Sequence, residues 1–363
     1  MCPCYVTIVR VEASNKPFPG FKVGAVAVSV PLVLAPMEDV TNLAFRLVAK
    51  RIGNPGLMFT EFVSAMAIHH NPSRTMHKMR VVDEERPLGI QIFGAEPEKM
   101  AEAAQVAEQM GADIVDINMG CWVPKVCRTG SGAALLRDPL TAERVVRAVV
   151  SAVKIPVTVK VRAGWDSSHF AAPEFARRFE AAGVRMMTLH ARFARQGFEG
   201  EADWKLLEEM REALTIPLVG NGDVRTGSDG VRLLRETGCD GVMVGRAAIS
   251  NPWILATIRS YLSGSGAESI PTPKERAEVL LEHARLMVQH TAEAMASPPD
   301  DVLVQLRAIR ALRGQMPLYL KGLPGSAQHR ARLAQVSSLA EIEDVVWSWL
   351  SSELLTFSQS ASA

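Results

Sequence analysis

Residues Asp116-Ile-Asn-Met-Gly-Cys-Trp-Val-Pro-Lys-Val126 place an amide, a thiol and an amine just after an apolar run. A cysteine thiol with an ordinary pKa near 8.5 is protonated at neutral pH, so Cys121 can donate a proton. Asn118 can hold the amide edge of a ring, and Lys125 can meet a phosphate or a carbonyl. The same grammar recurs along the chain, as short β-branched runs stop at Pro36-Met37, Thr60-Glu61, Gln91, Lys160 with Arg162, His190 with Arg192, Asn221 with Asp223, and Gly245-Arg246. Two of these ends make a phosphate cradle. In Asn221-Gly-Asp223 and Gly245-Arg246, glycine lets the backbone approach an oxyanion, a following helix offers free N–H groups, and Arg246 adds a charge-assisted pair. Lys160, at the mouth of an apolar run, needs an anionic partner. A flavin whose N1–O2 edge becomes anionic on reduction supplies one, and Gln91 can hydrogen-bond that edge.

Such ends need a scaffold that gathers them. Strands are predicted at Leu32–Ala35, Leu57–Phe59, Leu88–Phe93, Ile114–Asn118, Val157–Val161, Met186–His190, Leu218–Asn221 and Gly241–Val244, with helical sequence between them, as at Pro97–Met110, Ala142–Val153 and Ala172–Ala182. Repeated strand–helix units predict an α/β fold, a (β/α)8 TIM barrel whose chemistry sits at the carboxyl ends of the strands. A doubly wound open sheet is the competing architecture. After Trp253 the pattern changes: Ser263-Gly-Ser-Gly266 and Pro271-Thr-Pro273 read as a linker, and Lys274–Met295, Val302–Arg313 and Leu339–Leu350 as a small helical domain. The predicted division is an extension over 1–20, expected to be disordered, the barrel over 21–260, a linker over 261–273 and the helical domain over 274–363. Between Val302 and Ala340 lie Arg307, Arg310, Arg313, Lys321, Arg330 and Arg332 with no acidic residue, and the spacing of the first three gives a cationic stripe along one helix side.

With 363 residues, 48% hydrophobic and 22% charged, the chain reads as a globular protein of one large domain plus an appendage. Its formal net charge of +1 gives no whole-molecule attraction for an anion, so any nucleic-acid surface must be local. Cys2, Cys4, Cys121, Cys127 and Cys239 are an odd, scattered set, as expected of reduced thiols in a cytoplasmic protein. Residues 1–20 show no long apolar core ending in a cleavage site and no uninterrupted apolar run of 18 residues is found, so a soluble, unexported protein is expected; Cys121 and Cys127 lack a His partner at metal-binding spacing.

The ordered set Ala35-Pro-Met37 with Thr41 and Phe45-Arg46, Gln91-Ile-Phe-Gly94, Asp116-Ile-Asn-Met-Gly-Cys121, Val159-Lys160-Val-Arg162, His190-Ala-Arg192, Asn221-Gly-Asp223, Gly245-Arg246 and Tyr319-Leu-Lys-Gly322 resembles the tRNA-dihydrouridine synthases over about residues 22 to 335. These are flavin-dependent enzymes that reduce uridine in tRNA. The resemblance implies FMN held by Pro36, Met37, Glu38, Gln91, Lys160, His190, Asn221, Gly222, Asp223, Gly245 and Arg246, with Cys121 as the acid. It further implies tRNA as partner and NADPH or NADH as reductant; the residues expected to meet the RNA are Asn118, Lys125, Arg162, Arg192, Arg307, Arg310, Arg313 and Lys321. No strand-turn-helix Gly-x-Gly-x-x-Gly supports the reductant independently, and no obligate protein partner or metal is expected. One departure stands out: the family normally has Pro after the Cys, whereas here Trp122 follows and the Pro moves to 124, which changes the fixed φ in the loop. Trp122 is then a cleft wall, a base-stacking surface or rim packing.

The competing functions are dihydrouridine synthesis in ribosomal RNA, an FMN-dependent oxidoreductase acting on a free dihydropyrimidine, and a flavin-free RNA-binding protein. His69-His70 is expected to be surface or RNA-proximal, with no catalytic role.

Overall fold

In the computed structural model, which describes residues 16–70 and 75–360, the apolar runs close into a parallel barrel. The chain forms β1 (Phe21–Val23), β2 (Val26–Val28), β3 (Leu32–Leu34), β4 (Leu57–Phe59), β5 (Val63–Ser64), β6 (Leu88–Phe93), β7 (Ile114–Met119), β8 (Val157–Arg162), β9 (Met186–His190), β10 (Leu218–Asn221) and β11 (Gly241–Val244). The barrel runs β3-β4-β6-β7-β8-β9-β10-β11 and back to β3, with β5 a two-residue strand beside the end of β6. The eight predicted strands match those of the barrel to within one residue at each end, so the open sheet is excluded.

The amino end of the barrel is stoppered by an antiparallel hairpin of β1 and β2 that strand periodicity did not announce. Val23 and Val28 pack with Leu57, Ile114 and Met186, each the first residue of its barrel strand. Burying a valine contributes about 1.5–3 kcal/mol, so the plug stabilises this end while the carboxyl end stays free for chemistry. Inside the barrel, Gly89 gives Phe59 its room: a Cβ at 89 would lie 2.3 Å from the Phe59 ring.

Local sequence explains the helix boundaries. Asn42 caps the helix Leu43–Gly53 through Phe45 N–H, and the left-handed Asn54 ends it. Thr226 with Asp229, and Thr272 with Glu275, form capping boxes at Gly227–Thr237 and Pro273–Met295. A buried pair, Arg46 Nε to Glu85 at 2.6 Å, is completed by bonds from Arg46 to the carbonyls of Thr41 and Arg80, so the charge is fully partnered.

After the barrel, the helices Pro273–Met295, Val302–Leu312, Met316–Tyr319, Ser326–Leu333 and Leu339–Ser360 build a second layer. Its core includes Leu280, Leu281, Ile309, Tyr319, Val346 and Trp349, and it takes in Trp253 from the end of the barrel. The layer is tied down by ion pairs Arg51–Glu282 and Arg80–Glu293 and by Gln315 Nε2 donating to Asp39 O at 3.1 Å. The linker folds back on the preceding helix Ile254–Leu262, where Ala267 N–H donates to Ser260 and Ser269 N–H to Thr257. Of the 1–20 extension, Phe18 N–H bonds Leu262 O and its ring packs on the barrel core; Cys2 and Cys4 lie outside the described residues, as do Asn71 and Pro72 after the His pair. His69 and His70 are both exposed, and His69 pairs with Glu102.

Candidate active site

A cavity of about 780 Å³ opens at the carboxyl ends of the strands, lined by Pro36, Met37, Glu38, Asn118, Cys121, Lys160, Arg162, His190, Asn221, Gly222, Asp223, Gly245 and Arg246. Most of the expected site residues are thus brought together from six strand ends.

Cys121 is half-buried on this wall, and its loop is held by a polar chain that starts in the barrel. Thr158 and Gln91 side chains donate to Asp116, Asn118 Nδ2 donates to Gln91 Oε1 at 2.8 Å, and Asn118 Oδ1 accepts the N–H groups of Gly120 and Cys121 at 3.1 and 2.9 Å. Arg162 closes the loop from its other side by donating to Gly120 O at 3.0 Å. Burial raises the Cys121 thiol above its usual range and Glu38 adds to this, so the group stays protonated at neutral pH. Burial also pushes Asp116 up to about 6, against the bonds from Gln91 and Thr158.

Parallel register aligns Asn118 with Lys160 and Arg162 with His190, setting these groups at two depths of the mouth. Lys160 has no hydrogen-bond or ion-pair partner among the described residues. Burial and then Arg162 lower it to about 8, so it keeps a proton at pH 7 and gains by meeting an anion. His190 is driven well below the ordinary histidine range by burial and by the charges of Lys160, Arg162, Arg192 and Arg246, leaving a neutral imidazole.

The cradle is organised by Asp223, whose backbone is left-handed with φ 51°. Its carboxylate accepts from Arg192 at 2.6 Å, Arg225 at 3.2 Å, Arg246 at 3.1 Å and the Ala202 N–H. Three guanidinium groups on one carboxylate leave net positive charge, as a phosphate site requires. Gly222 has φ 138°, and a Cβ there would sit 2.6 Å from Ala202, so glycine is needed for both conformation and space. Asn221 donates to Met243 O, and Gly245 precedes the short helix Arg246–Ser250.

Several expected roles change. Gln91 is fully buried beneath the cavity, bridging Asp116 and Asn118 and not lining the mouth. Asn118 lines the cavity, but both ends of its amide bond protein groups, so it positions the thiol loop. Arg192 is buried and bound to Asp223 and Gly200 O, so its guanidinium is tied into the cradle. Lys125 faces a neighbouring cleft with Phe62 and Phe93. On the helical layer Arg307, Arg310 and Lys321 are outside the cavity and exposed, whereas Arg313 donates to Val336 O, Gln335 O and Ser337, so the three-arginine stripe is shortened to two. The cavity also gains residues not anticipated: Arg225, and Phe198, which is 48% exposed with Arg246 4.3 Å and Arg162 5.6 Å from its ring. Trp122 stands edge-on to Phe198 and covers Gly197 at the rim. An aromatic in a Gly-rich loop between polar strand ends was the available clue to Phe198, and a Thr and an Asp inside apolar strands were the clue to the polar chain.

Fold and site together define a (β/α)8-barrel protein that presents a protonated thiol beside an arginine cluster at the carboxyl ends of the strands. A family model described as "Dihydrouridine synthase (Dus)" matches residues 33–352. The chain belongs to the dihydrouridine synthase family. It is 36% identical to a probable tRNA-dihydrouridine synthase 1 of Synechocystis sp., over 90% of this chain and 88% of the relative. It is 35% identical to a probable tRNA-dihydrouridine synthase of Rickettsia bellii (90% and 96% covered) and 41% identical to one of Rhizobium leguminosarum bv. phaseoli (73% and 81%). Among solved structures, a mutant morphinone reductase in complex with tetrahydroNAD shares the barrel, with a TM-score of 0.51 at 14% identity over 72% of this chain and 93% of that one.

Proposed function

We propose that the protein reduces the C5–C6 double bond of a uridine in tRNA, with FMN as bound cofactor and NADPH as reductant. The observation that carries this reading is the protonated Cys121 thiol in the same cavity as the unpartnered Lys160 and the arginine-bearing cradle. The relatives' names support tRNA as the substrate class.

The residues fit a phosphate-bearing flavin. Asn221, Gly222, Gly245 and Arg246 would hold its phosphate, with Asp223 orienting Arg246, while Lys160 offers a cation to an anionic ring edge. Pro36, Met37 and Glu38 line the same cavity from the end of β3. The chemistry an FMN held there would supply is hydride donation to C6. Cys121 gives the proton to C5, and the caps from Asn118 and Arg162 keep the thiol aimed without extra reorganisation. Trp122 and Phe198 form an aromatic rim to the cavity. Arg307, Arg310 and Lys321 add a local cationic surface for an RNA backbone, whose target base must be unstacked at a cost of a few kcal/mol.

The test is nucleoside mass spectrometry of unmodified cellular RNA, separated into tRNA and ribosomal RNA, after incubation with the FMN-loaded protein and NADPH. Dihydrouridine is expected in the tRNA fraction and should be reduced about 10²–10⁴-fold by Cys121→Ala. Dihydrouridine confined to ribosomal RNA would overturn the substrate, and none in either fraction from a flavin-bound protein that oxidises NADPH would overturn RNA as substrate.

A further inference from the structure

Beyond the rim of the main cavity, on the far side of Trp122, lies a second cleft of about 430 Å³. Trp122 lines both spaces, so the two adjoin at this indole. The second cleft is walled by Trp122 and Trp165 and edged by Arg128 and Arg195. Arg137 lies over the Trp165 ring at 5.2 Å. All three guanidinium groups are exposed, and none makes an ion pair with a carboxylate among the described residues. Asp166 is the acidic group that feels Arg195 and Arg137; its carboxylate is bonded to Ser168. The cleft therefore combines two indole rings with net positive charge.

We propose that this cleft holds the nucleotide that adjoins the reduced uridine, its base stacked on Trp165 and Trp122 and its phosphate met by Arg195 and Arg128. This inference rests on the RNA reading above and names a subsite for it. Base stacking on an aromatic side chain is tolerant of sequence and contributes about 1–3 kcal/mol, while guanidinium groups track the backbone. A base turned into a pocket drags its neighbours out of their stack, and a platform one residue away restores part of that loss. Trp122 replacing the family's Pro is what raises an indole between the two spaces.

The experiment pairs protein and RNA changes. A tRNA transcript is made intact and with an abasic site next to the uridine that is reduced, and both are assayed with wild type, Trp165→Ala, Trp165→Phe and Arg195→Glu. For wild type, the abasic site should raise KM about 5- to 100-fold. Trp165→Ala should raise KM on intact RNA by a similar factor and respond little to the abasic site, and Trp165→Phe should recover most of the loss. Arg195→Glu, an exposed change that leaves folding unaffected, should weaken RNA binding and flatten its salt dependence. NADPH oxidation without RNA should be unchanged in all three variants. Equal sensitivity to the abasic site in wild type and Trp165→Ala, or unchanged RNA affinity in both Trp165→Ala and Arg195→Glu, would overturn the inference. Filter binding of the intact transcript to wild type, Trp165→Ala and Arg195→Glu gives an answer even if no dihydrouridine forms, which separates failure of the subsite from failure of the proposed reaction.

Discussion

At the residue scale the decisive group is the Cys121 thiol. Burial and Glu38 both raise it, so the proton-bearing form persists above the ordinary thiol range and is lost only at high pH. A donor of this kind is active while protonated, so single-turnover dihydrouridine formation should be level through pH 8 and fall in more alkaline solution. Cys121→Ala should remove the thiol's contribution to that alkaline limb along with the rate. An alkaline limb unchanged in the variant, measured by rapid quench over that pH range, would show that another group gives the proton. His190 is neutral under the same conditions, so it contributes shape and hydrogen bonding and no charge.

Elements place these groups, and two loops carry the most consequence. The Asn118 carboxamide caps the loop after β7, so Asn118→Ala should leave flavin bound but lower the rate of proton delivery about 10-fold or more, read as a fall in kcat on RNA at unchanged flavin affinity. Gly222→Ala meets both a left-handed backbone and a 2.6 Å contact with Ala202. It should cost about 1–3 kcal/mol of stability and weaken flavin retention, measured by denaturant titration and by flavin release on dilution. Strand ends and their polar residues were legible because period-two and apolar-run patterns are local. The occupation of Gln91, Asn118 and Arg192 was not legible, since Gln91 meets Asp116 and Asn118, and Arg192 meets Asp223, only when the strands align.

For the whole molecule, the two cores meet through the helices Leu43–Gly53 and Pro273–Met295. His283 lies at that seam, fully buried, with its ring against Phe45 and Nδ1 bonded to Tyr319 OH at 3.0 Å. Burial depresses it to about 4, below the unfolded value near 6.5. The folded state thus binds fewer protons, so its stability is present above pH 6.5 and is lost as pH falls toward 4, by about 2 kcal/mol at pH 5. Urea unfolding at pH 7 and pH 5 should show this loss, and His283→Gln should reduce it; an unchanged difference would assign the effect elsewhere. Among the described residues no helix is long and apolar enough to cross a membrane.

What the sequence by itself determined is the barrel, the helical layer and the list of chemically able strand ends, because hydrophobic periodicity and turn chemistry act over a few residues. The hairpin plug escaped notice because its strands are three residues each and are stabilised by packing on residues from distant strands. Tertiary structure alone decided what each cation does: Lys160 lines the cavity without a partner among the described residues, Arg246 lines it while sharing Asp223 with the buried Arg192, and Arg313 is bound by carbonyls elsewhere in the chain. A charged side chain takes its role from the partners within hydrogen-bond reach, and those partners are set by the closure of the barrel and not by neighbours in sequence.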